Sequence, residues 1–226
     1  HKLALMRIHP AGKDIVNWTV IVLGTIALAV IMFVPFQLFW LICSILLVLA
    51  VLGFWVMTFF RYPNRSISGA GANQIFSAAD GKVVVIEKIK TDRFPEGEAI
   101  QISVFMSIYS VHLNYVPVTG TITSVEHRNG LHLMAIKPKA SLENEQSETV
   151  ILTENGKQIL VRQIAGAAAR RVLTFVEKDQ KAKAGDELGF IRFGSRVDHI
   201  IPVGSTIKVK PGDKVKGCTT IIAELN

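Results

Sequence analysis

The chain has 226 residues, half of them hydrophobic, and a formal net charge of +7 at pH 7. Its length allows one or two domains. The positive charge would suit nucleic acid, but the sequence has no interleaved aromatic and basic residues and no zinc-finger spacing, so no nucleic-acid partner is expected. An anionic membrane surface explains the charge better. Cys43 and Cys218 have neither the spacing of a metal site nor that of a disulfide framework, so no metal is expected.

Two apolar stretches follow a short basic N-terminal segment. The first runs from Ile15 to Val34 and the second from Gln37 to Phe60, with Pro35 between them. Each is close to the roughly 20 residues that a helix needs to cross a bilayer. A signal peptide is the competing interpretation of the first stretch, but no small-residue cleavage site follows it and a second span begins at once. Residues 1–65 are therefore predicted to form a transmembrane α-helical hairpin.

The charges beside these stretches predict the orientation of the hairpin. Lys2, Arg7 and Lys13 precede the first span, Arg61 and Arg65 follow the second, and the connecting turn carries no charge. Loops rich in lysine and arginine stay on the cytoplasmic side. We therefore expect an inner-membrane protein whose remaining residues form a cytoplasmic domain.

Residues 66–226 have the pattern of a mostly β domain. A linker rich in Gly, Ser and Asn, Ser66 to Gln74, is followed by short β-branched runs that turn residues separate at close spacing. This spacing favours barrel-sandwich-like β hairpins over βαβ units. Only Leu131 to Gln146 and Ala165 to Arg171 are interpreted as helical or irregular.

Several predicted turns that contain glycine share one style and open an alternative function. They are Ala79-Asp-Gly, Pro117-Val-Thr-Gly, Lys183-Ala-Gly-Asp and Lys210-Pro-Gly-Asp-Lys-Val-Lys-Gly217, and the last resembles a turn of lipoyl- and biotinyl-type β domains. A membrane-anchored carrier or adaptor domain without enzymatic activity is thus the alternative. A carrier would display a lysine at a hairpin tip and a pump adaptor would contain a long heptad hairpin, and we find neither pattern.

The bond between Gly194 and Ser195 is the first candidate for chemistry. Glycine leaves its carbonyl unshielded, and a serine hydroxyl becomes a nucleophile when a base takes its proton. Attack of the hydroxyl on the Gly194 carbonyl, followed by elimination, would break the chain. For an arbitrary Gly-Ser pair a tight turn is the more common interpretation. Gly204-Ser205 is a second such pair and is interpreted as a turn between strands.

Three separated motifs resemble those of the phosphatidylserine decarboxylase family, in its short, membrane-anchored (type A) branch. They are the segment Gly185-Asp-Glu-Leu-Gly-Phe with Phe-Gly-Ser-Arg-Val-Asp, the segment Ala79-Asp-Gly-Lys-Val, and the segment Val111-His-x-Asn-x-x-Pro-Val-x-Gly. The resemblance extends from about Ala78 to the C-terminus. Gly204-Ser205-Thr206 contains a tripeptide common at the family's cleavage point, but it has no such lead-in, which favours Ser195.

The resemblance implies a self-processing proenzyme. Cleavage between Gly194 and Ser195 would give a large and a small chain, with a covalent pyruvoyl group made from Ser195 as the cofactor. Its ketone would act as an electron sink while phosphatidylserine loses carbon dioxide and becomes phosphatidylethanolamine. The sequence leaves the number of protomers open, with a homodimer as one of the alternatives.

The same resemblance indicates which residues would assist. His112 would be the base for Ser195, and Asp80 would orient and charge it, so that the three form a triad from distant segments. A hydrogen-bonded core histidine and an Asp-Gly turn are the structural alternatives. The family often has a second histidine where this chain has Tyr109, which makes Tyr109 a candidate for proton transfer.

Overall fold

The computed structural model describes residues 7–67, 71, 73–130, 144–166, 171–191 and 195–226. The chain divides into two compact units, His1–Pro63 and Asn64–Asn226. Residues 131–143 and 167–170, which cover most of the two stretches interpreted as helical or irregular, lie outside the described residues. Gly194 also lies outside them.

The first unit contains two long apolar helices. They are α1 (Pro10–Phe33) and α2 (Phe39–Phe59), joined by a short 3₁₀ turn (Phe36–Leu38). Proline suits the first turn of α1 because no intrahelical acceptor is available there, and the backbone N–H of Ala11 donates to Nδ1 of His9 over 3.1 Å. Both spans are long and apolar enough to cross a membrane, with mean hydropathies of 2.3 and 2.6. The prediction of two N-terminal apolar helices is confirmed.

The two helices pack against each other and their outer ends meet. The backbone N–H of His9 donates to the carbonyl of Phe60 over 3.0 Å, and that of Tyr62 donates to the carbonyl of Arg7 over 2.6 Å. The start of α1 and the end of α2 therefore lie at the same end of the pair, as in a hairpin. Much of the remaining surface is apolar, and Phe33 and Trp40 are 80% and 81% exposed.

The second unit consists of antiparallel strands, which confirms the mostly β prediction. The strands are β1 (Gln74–Phe76), β2 (Gly81–Lys90), β3 (Glu98–Met106), β4 (Leu113–Tyr115), β5 (Gly120–Arg128), β6 (Gln146–Leu152), β7 (Gln158–Ala165), β8 (Val172–Thr174), β9 (Lys181–Ala182), β10 (Glu187–Ile191), β11 (Ser195–Pro202), β12 (Thr206–Ile207), β13 (Lys214–Val215) and β14 (Ile221–Glu224). An eight-stranded sheet has the order β13-β2-β3-β11-β7-β6-β5-β9, and two three-stranded sheets have the orders β4-β10-β8 and β1-β14-β12.

Strand β11 lies inside the large sheet and is buried along its whole length. It pairs with β3 on one side and with β7 on the other. Because side chains alternate along a strand, Val197 and Ile201 join the main core on one face, whereas Ile200 joins a smaller cluster on the other. On that second face Arg196 Nε donates to Asp198 over 2.6 Å, and both side chains are buried.

Two of the turns of common sequence style, those at Lys183 and Lys210, also share a local geometry. In each, the lysine N–H donates to the aspartate three residues later, over 2.7 Å in Lys183–Asp186 and 3.0 Å in Lys210–Asp213. The glycine between them has a φ of 95° in the first and 100° in the second, a region that glycine adopts without steric cost. Their likeness is thus explained by a local hydrogen bond, without a carrier function.

Candidate active site

Ser195 begins β11 and is completely buried. Its backbone lies between Met106 at the end of β3 and Ala165 at the end of β7. The Ser195 hydroxyl donates to the Met106 sulfur over 3.2 Å. A thioether is a weak acceptor, so little holds this hydroxyl in its present position. The other candidate, Ser205, instead donates to the backbone carbonyl of Pro202 over 2.8 Å, in the turn between β11 and β12.

His112 directly precedes β4 and is also completely buried. Its Nδ1 lies 2.9 Å from the carbonyl of Ser110. Since a carbonyl only accepts hydrogen bonds, Nδ1 carries the proton, and in the neutral ring Nε2 is the basic nitrogen. A general base at Ser195 would need this tautomer.

The backbone brings the His112 segment close to Ser195. The His112 carbonyl accepts the backbone N–H of Ile191 over 3.3 Å, which continues the ladder between β4 and β10. Ile191 is only four residues before Ser195, a stretch that spans at most about 14 Å. Two residues after His112, the amide nitrogen of Asn114 contacts the same Met106 sulfur as the Ser195 hydroxyl, over 3.6 Å. The structure thus gathers the histidine motif and Ser195 around Met106.

Asp80 is held by partners that the sequence did not indicate. Its carboxylate accepts both terminal nitrogens of Arg65, with Nη2–Oδ2 at 2.8 Å, and the backbone N–H of Gly217 over 2.8 Å. Hydrogen bonding to Asp80 raises the pKa of Arg65 above its ordinary value. The interactions of the Asp80 carboxylate within the described part of the chain do not include His112. Its role as the partner of that histidine stays a prediction.

Backbone contacts nevertheless tie the Asp80 turn to the elements around Ser195. Ala78, two residues earlier, accepts the N–H of Tyr115 on β4 over 2.8 Å. The Ala78 N–H donates to Nε2 of His199, on β11, over 2.8 Å. Burial lowers the pKa of His199 from 6.5 to about 4, so this imidazole is neutral. Sequence reasoning missed His199, and its place in an ordinary β-strand pattern gave no signal.

Tyr109 lies in the turn between Met106 and His112. The Ser110 N–H donates to the carbonyl of Ser107 over 2.9 Å and closes that turn. Tyr109 is 71% exposed. The proton-transfer role expected for it stays a prediction.

The described residues contain no group of three His, Cys, Asp or Glu side chains placed to hold a metal ion. A pyruvoyl group would come from Ser195 itself, and its surroundings fit one. Conversion replaces the buried CH₂OH by a methyl group, so the side-chain hydrogen bond that is lost is the one to the weakly accepting Met106 sulfur.

Known proteins of one family match most of this chain. The family model for phosphatidylserine decarboxylase matches residues 52–223. A phosphatidylserine decarboxylase proenzyme of Parabacteroides distasonis is 43% identical over 183 residues, which cover 81% of this chain and 83% of the relative. Proenzymes of the same name from Bacteroides thetaiotaomicron and Cytophaga hutchinsonii are 40% and 46% identical, and the first alignment covers 99% of this chain and 97% of the relative. This chain belongs to the phosphatidylserine decarboxylase family.

Proposed function

We propose that the chain is the proenzyme of a membrane-anchored phosphatidylserine decarboxylase, which cleaves itself between Gly194 and Ser195. Family membership supports the decarboxylation of phosphatidylserine to phosphatidylethanolamine. The observation that supports Ser195 as the site is its buried hydroxyl, which faces a weak acceptor beside the histidine motif. Ser205, by contrast, donates to a backbone carbonyl within a turn.

Self-cleavage then follows in balanced steps. Nε2 of His112 takes the Ser195 proton and Oγ bonds to the Gly194 carbonyl carbon. The proton then passes to the nitrogen as the C–N bond breaks, so that an ester replaces the amide. Loss of the Ser195 α-proton and rupture of the Cβ–Oγ bond release the large chain with a carboxylate at Gly194, and Cβ then takes up a proton to become a methyl group. Water then replaces the amino nitrogen left on residue 195, which departs as ammonia, and a pyruvoyl group remains.

The pyruvoyl group supplies a ketone that condenses with the serine amine of the lipid and accepts the electron pair released with carbon dioxide. The chain provides the surroundings of this group. Burial at the start of β11 excludes water, and the Met106 side chain packs against the position of the new methyl group. We assign the return of a proton to the product to His112, with Tyr109 as the second candidate.

The two apolar helices anchor the enzyme in the membrane that contains its substrate. Their outer ends meet through the hydrogen bonds beside Arg7 and Arg61, so both basic flanks lie at one end of the hairpin. Positively charged flanks remain in the cytoplasm. We therefore place the catalytic domain on the cytoplasmic side of the inner membrane, where its net positive charge favours anionic lipid.

The test of this proposal is the intact mass of the protein under denaturing conditions, combined with an assay for phosphatidylethanolamine. The wild type should yield two chains, the smaller one beginning at residue 195 without an amino terminus. Ser195→Ala should stay one chain and be inactive, whereas Ser205→Ala, the matched control, should cleave and remain active. A cleaved Ser195→Ala variant would show that the site has been assigned to the wrong serine.

A further inference from the structure

Asn114 is a second buried polar group beside Ser195, and the proposed mechanism has not used it. It lies on β4 and is completely buried. Its Nδ2 donates to the Met106 sulfur over 3.6 Å, and the same sulfur accepts the Ser195 hydroxyl over 3.2 Å. Two strong donors thus converge on one weak acceptor. A negatively charged oxygen that formed beside the Met106 sulfur would be a stronger acceptor than the sulfur. It would accept a hydrogen bond that the resting site forms only weakly.

Gln163 fixes the orientation of the Asn114 side-chain amide. Nε2 of Gln163, on β7, donates to the Asn114 oxygen over 2.8 Å. Because that oxygen accepts from Gln163, the amide nitrogen of Asn114 faces Met106. Gln163 is itself completely buried, and the hydroxyl of Thr174 lies 3.5 Å from its oxygen.

Gly189 makes room for this arrangement. A Cβ at residue 189 would lie 2.7 Å from Nε2 of Gln163 and 2.2 Å from the carbonyl of Leu173, closer than side chains approach. Gly189 is the second glycine of the lead-in Gly185-Asp-Glu-Leu-Gly. A glycine in the cleavage motif therefore has a physical reason, since it lets Gln163 reach Asn114.

We propose that Asn114 is a catalytic residue of self-cleavage that donates a hydrogen bond to the oxyanion, with Gln163 as its positioning residue. This rests on the proposed cleavage at Ser195. When Oγ bonds to the Gly194 carbonyl carbon, the carbonyl π electrons move to its oxygen. That oxygen is bonded to the same carbon as Oγ, so it forms close to Oγ. In the resting site Oγ and the Asn114 amide both donate to the Met106 sulfur. The negative charge then falls as the C–N bond breaks, and Asn114 keeps its own protons throughout.

The expected effect is large because a preorganised donor in a buried site stabilises the transition state more than the resting state. Removal of one such donor slows reactions by about 100-fold or more. A structural amide pair would instead change stability and leave the rate of cleavage by folded protein unaltered. The measurement must therefore separate the rate from folding.

The experiment follows cleavage of the full chain during cell-free synthesis into lipid nanodiscs, with the small fragment quantified over time. At pH 8, Asn114→Asp should cleave about 100-fold more slowly than wild type, because a carboxylate accepts but does not donate. Burial raises the pKa of a carboxyl group, and a protonated carboxyl group donates again. The ratio of the variant rate to the wild-type rate should therefore rise at least tenfold between pH 8 and pH 5.

Asn114→Leu removes the donor at every pH and should show a constant ratio. The matched control is Gln101→Leu, which removes a buried amide on the opposite face of β3, where Gln101 donates to Ser103 over 3.2 Å. It should cleave at the wild-type rate.

Wild-type cleavage by Asn114→Asp at pH 8, or a ratio that does not change with pH, would overturn the proposal. An equal loss in Gln101→Leu would do the same, because it would reveal a general effect of buried amides. If Asn114→Leu does not fold, the nearly isosteric Asn114→Asp decides alone. Cleavage of Ser195→Ala would instead refute the cleavage site, independently of these results.

Discussion

The titration of His199 links the pH to the way in which β11 holds the Asp80 turn. His199 Nδ1 lies 3.3 Å from the carbonyl of Ile102, and its Nε2 accepts the N–H of Ala78 over 2.8 Å. The first contact needs a proton on Nδ1 and the second needs a lone pair on Nε2, so only the neutral ring makes both. Burial lowers the pKa of His199 from 6.5 to about 4.

This lowered pKa fixes the sign and the size of a stability effect. Between pH 6.5 and about 4 the unfolded chain binds a proton at His199 that the folded chain does not bind. The stabilisation is therefore fully present above pH 6.5 and is lost as the pH falls to about 4. A pKa difference of one between the folded and unfolded chains corresponds to about 1.4 kcal/mol, so the free energy of unfolding should fall by about 3 kcal/mol.

The assay compares wild-type His199 with His199→Gln, both in a Ser195→Ala background that keeps one chain. Glutamine can accept from Ala78 but does not titrate in this range. The three tryptophans lie in the helices at 18, 40 and 55, so their fluorescence would not report on the β domain. Pulse proteolysis in urea, detected through a C-terminal tag, measures that domain directly.

Between pH 7 and pH 4 the chain with His199 should lose about 3 kcal/mol more than the glutamine variant. Parallel curves for His199 and its glutamine variant would refute the reasoning, because the depressed pKa would then contribute nothing to folding.

Two further predictions concern the proposed triad and the membrane topology. Asp80→Asn and His112→Ala should each leave a folded, uncut chain. Cleavage of the double variant should be no slower than that of the slower single variant, because groups that act as a unit give non-additive losses. Wild-type time courses of cleavage in both single variants would show that these residues take no part in self-processing. A reporter fused after Asn226 should behave as cytoplasmic in cells, and a periplasmic signal would contradict the orientation inferred from the basic flanks.

The sequence predicted those parts of the fold that depend on local composition. Two uncharged apolar stretches about as long as a bilayer is thick can satisfy their backbone in lipid only as helices, and short β-branched runs between turn residues form antiparallel strands. The family motifs led to Ser195 and His112. Each of these signals lies within a few consecutive residues.

The contacts that the sequence could not predict join residues far apart in the chain. Gln163 and Asn114 are 49 positions apart, and Asp80 and Gly217 are 137 apart. The residues next to a polar residue in the sequence do not determine such a distant partner. The order of strands in the sheet does, because it decides which strands lie side by side. Arg65 shows this most clearly. As a basic residue after a membrane span it was interpreted only as a topology signal, yet it holds the Asp80 carboxylate.

The sheet order also explains how the proposed cut can leave a single folded domain. Cleavage before Ser195 would place β11 to β14 in the small chain. Strand β11 lies between β3 and β7 of the large chain, β13 pairs with β2, and β14 pairs with β1. Every one of these ladders joins a strand of the small chain to a strand of the large chain. The buried Arg196–Asp198 pair adds a side-chain link directly beside residue 195, because Arg196 donates to Ser103 of β3 over 2.7 Å. The new chain end is therefore held within the sheet, and the reactive group stays beside Met106.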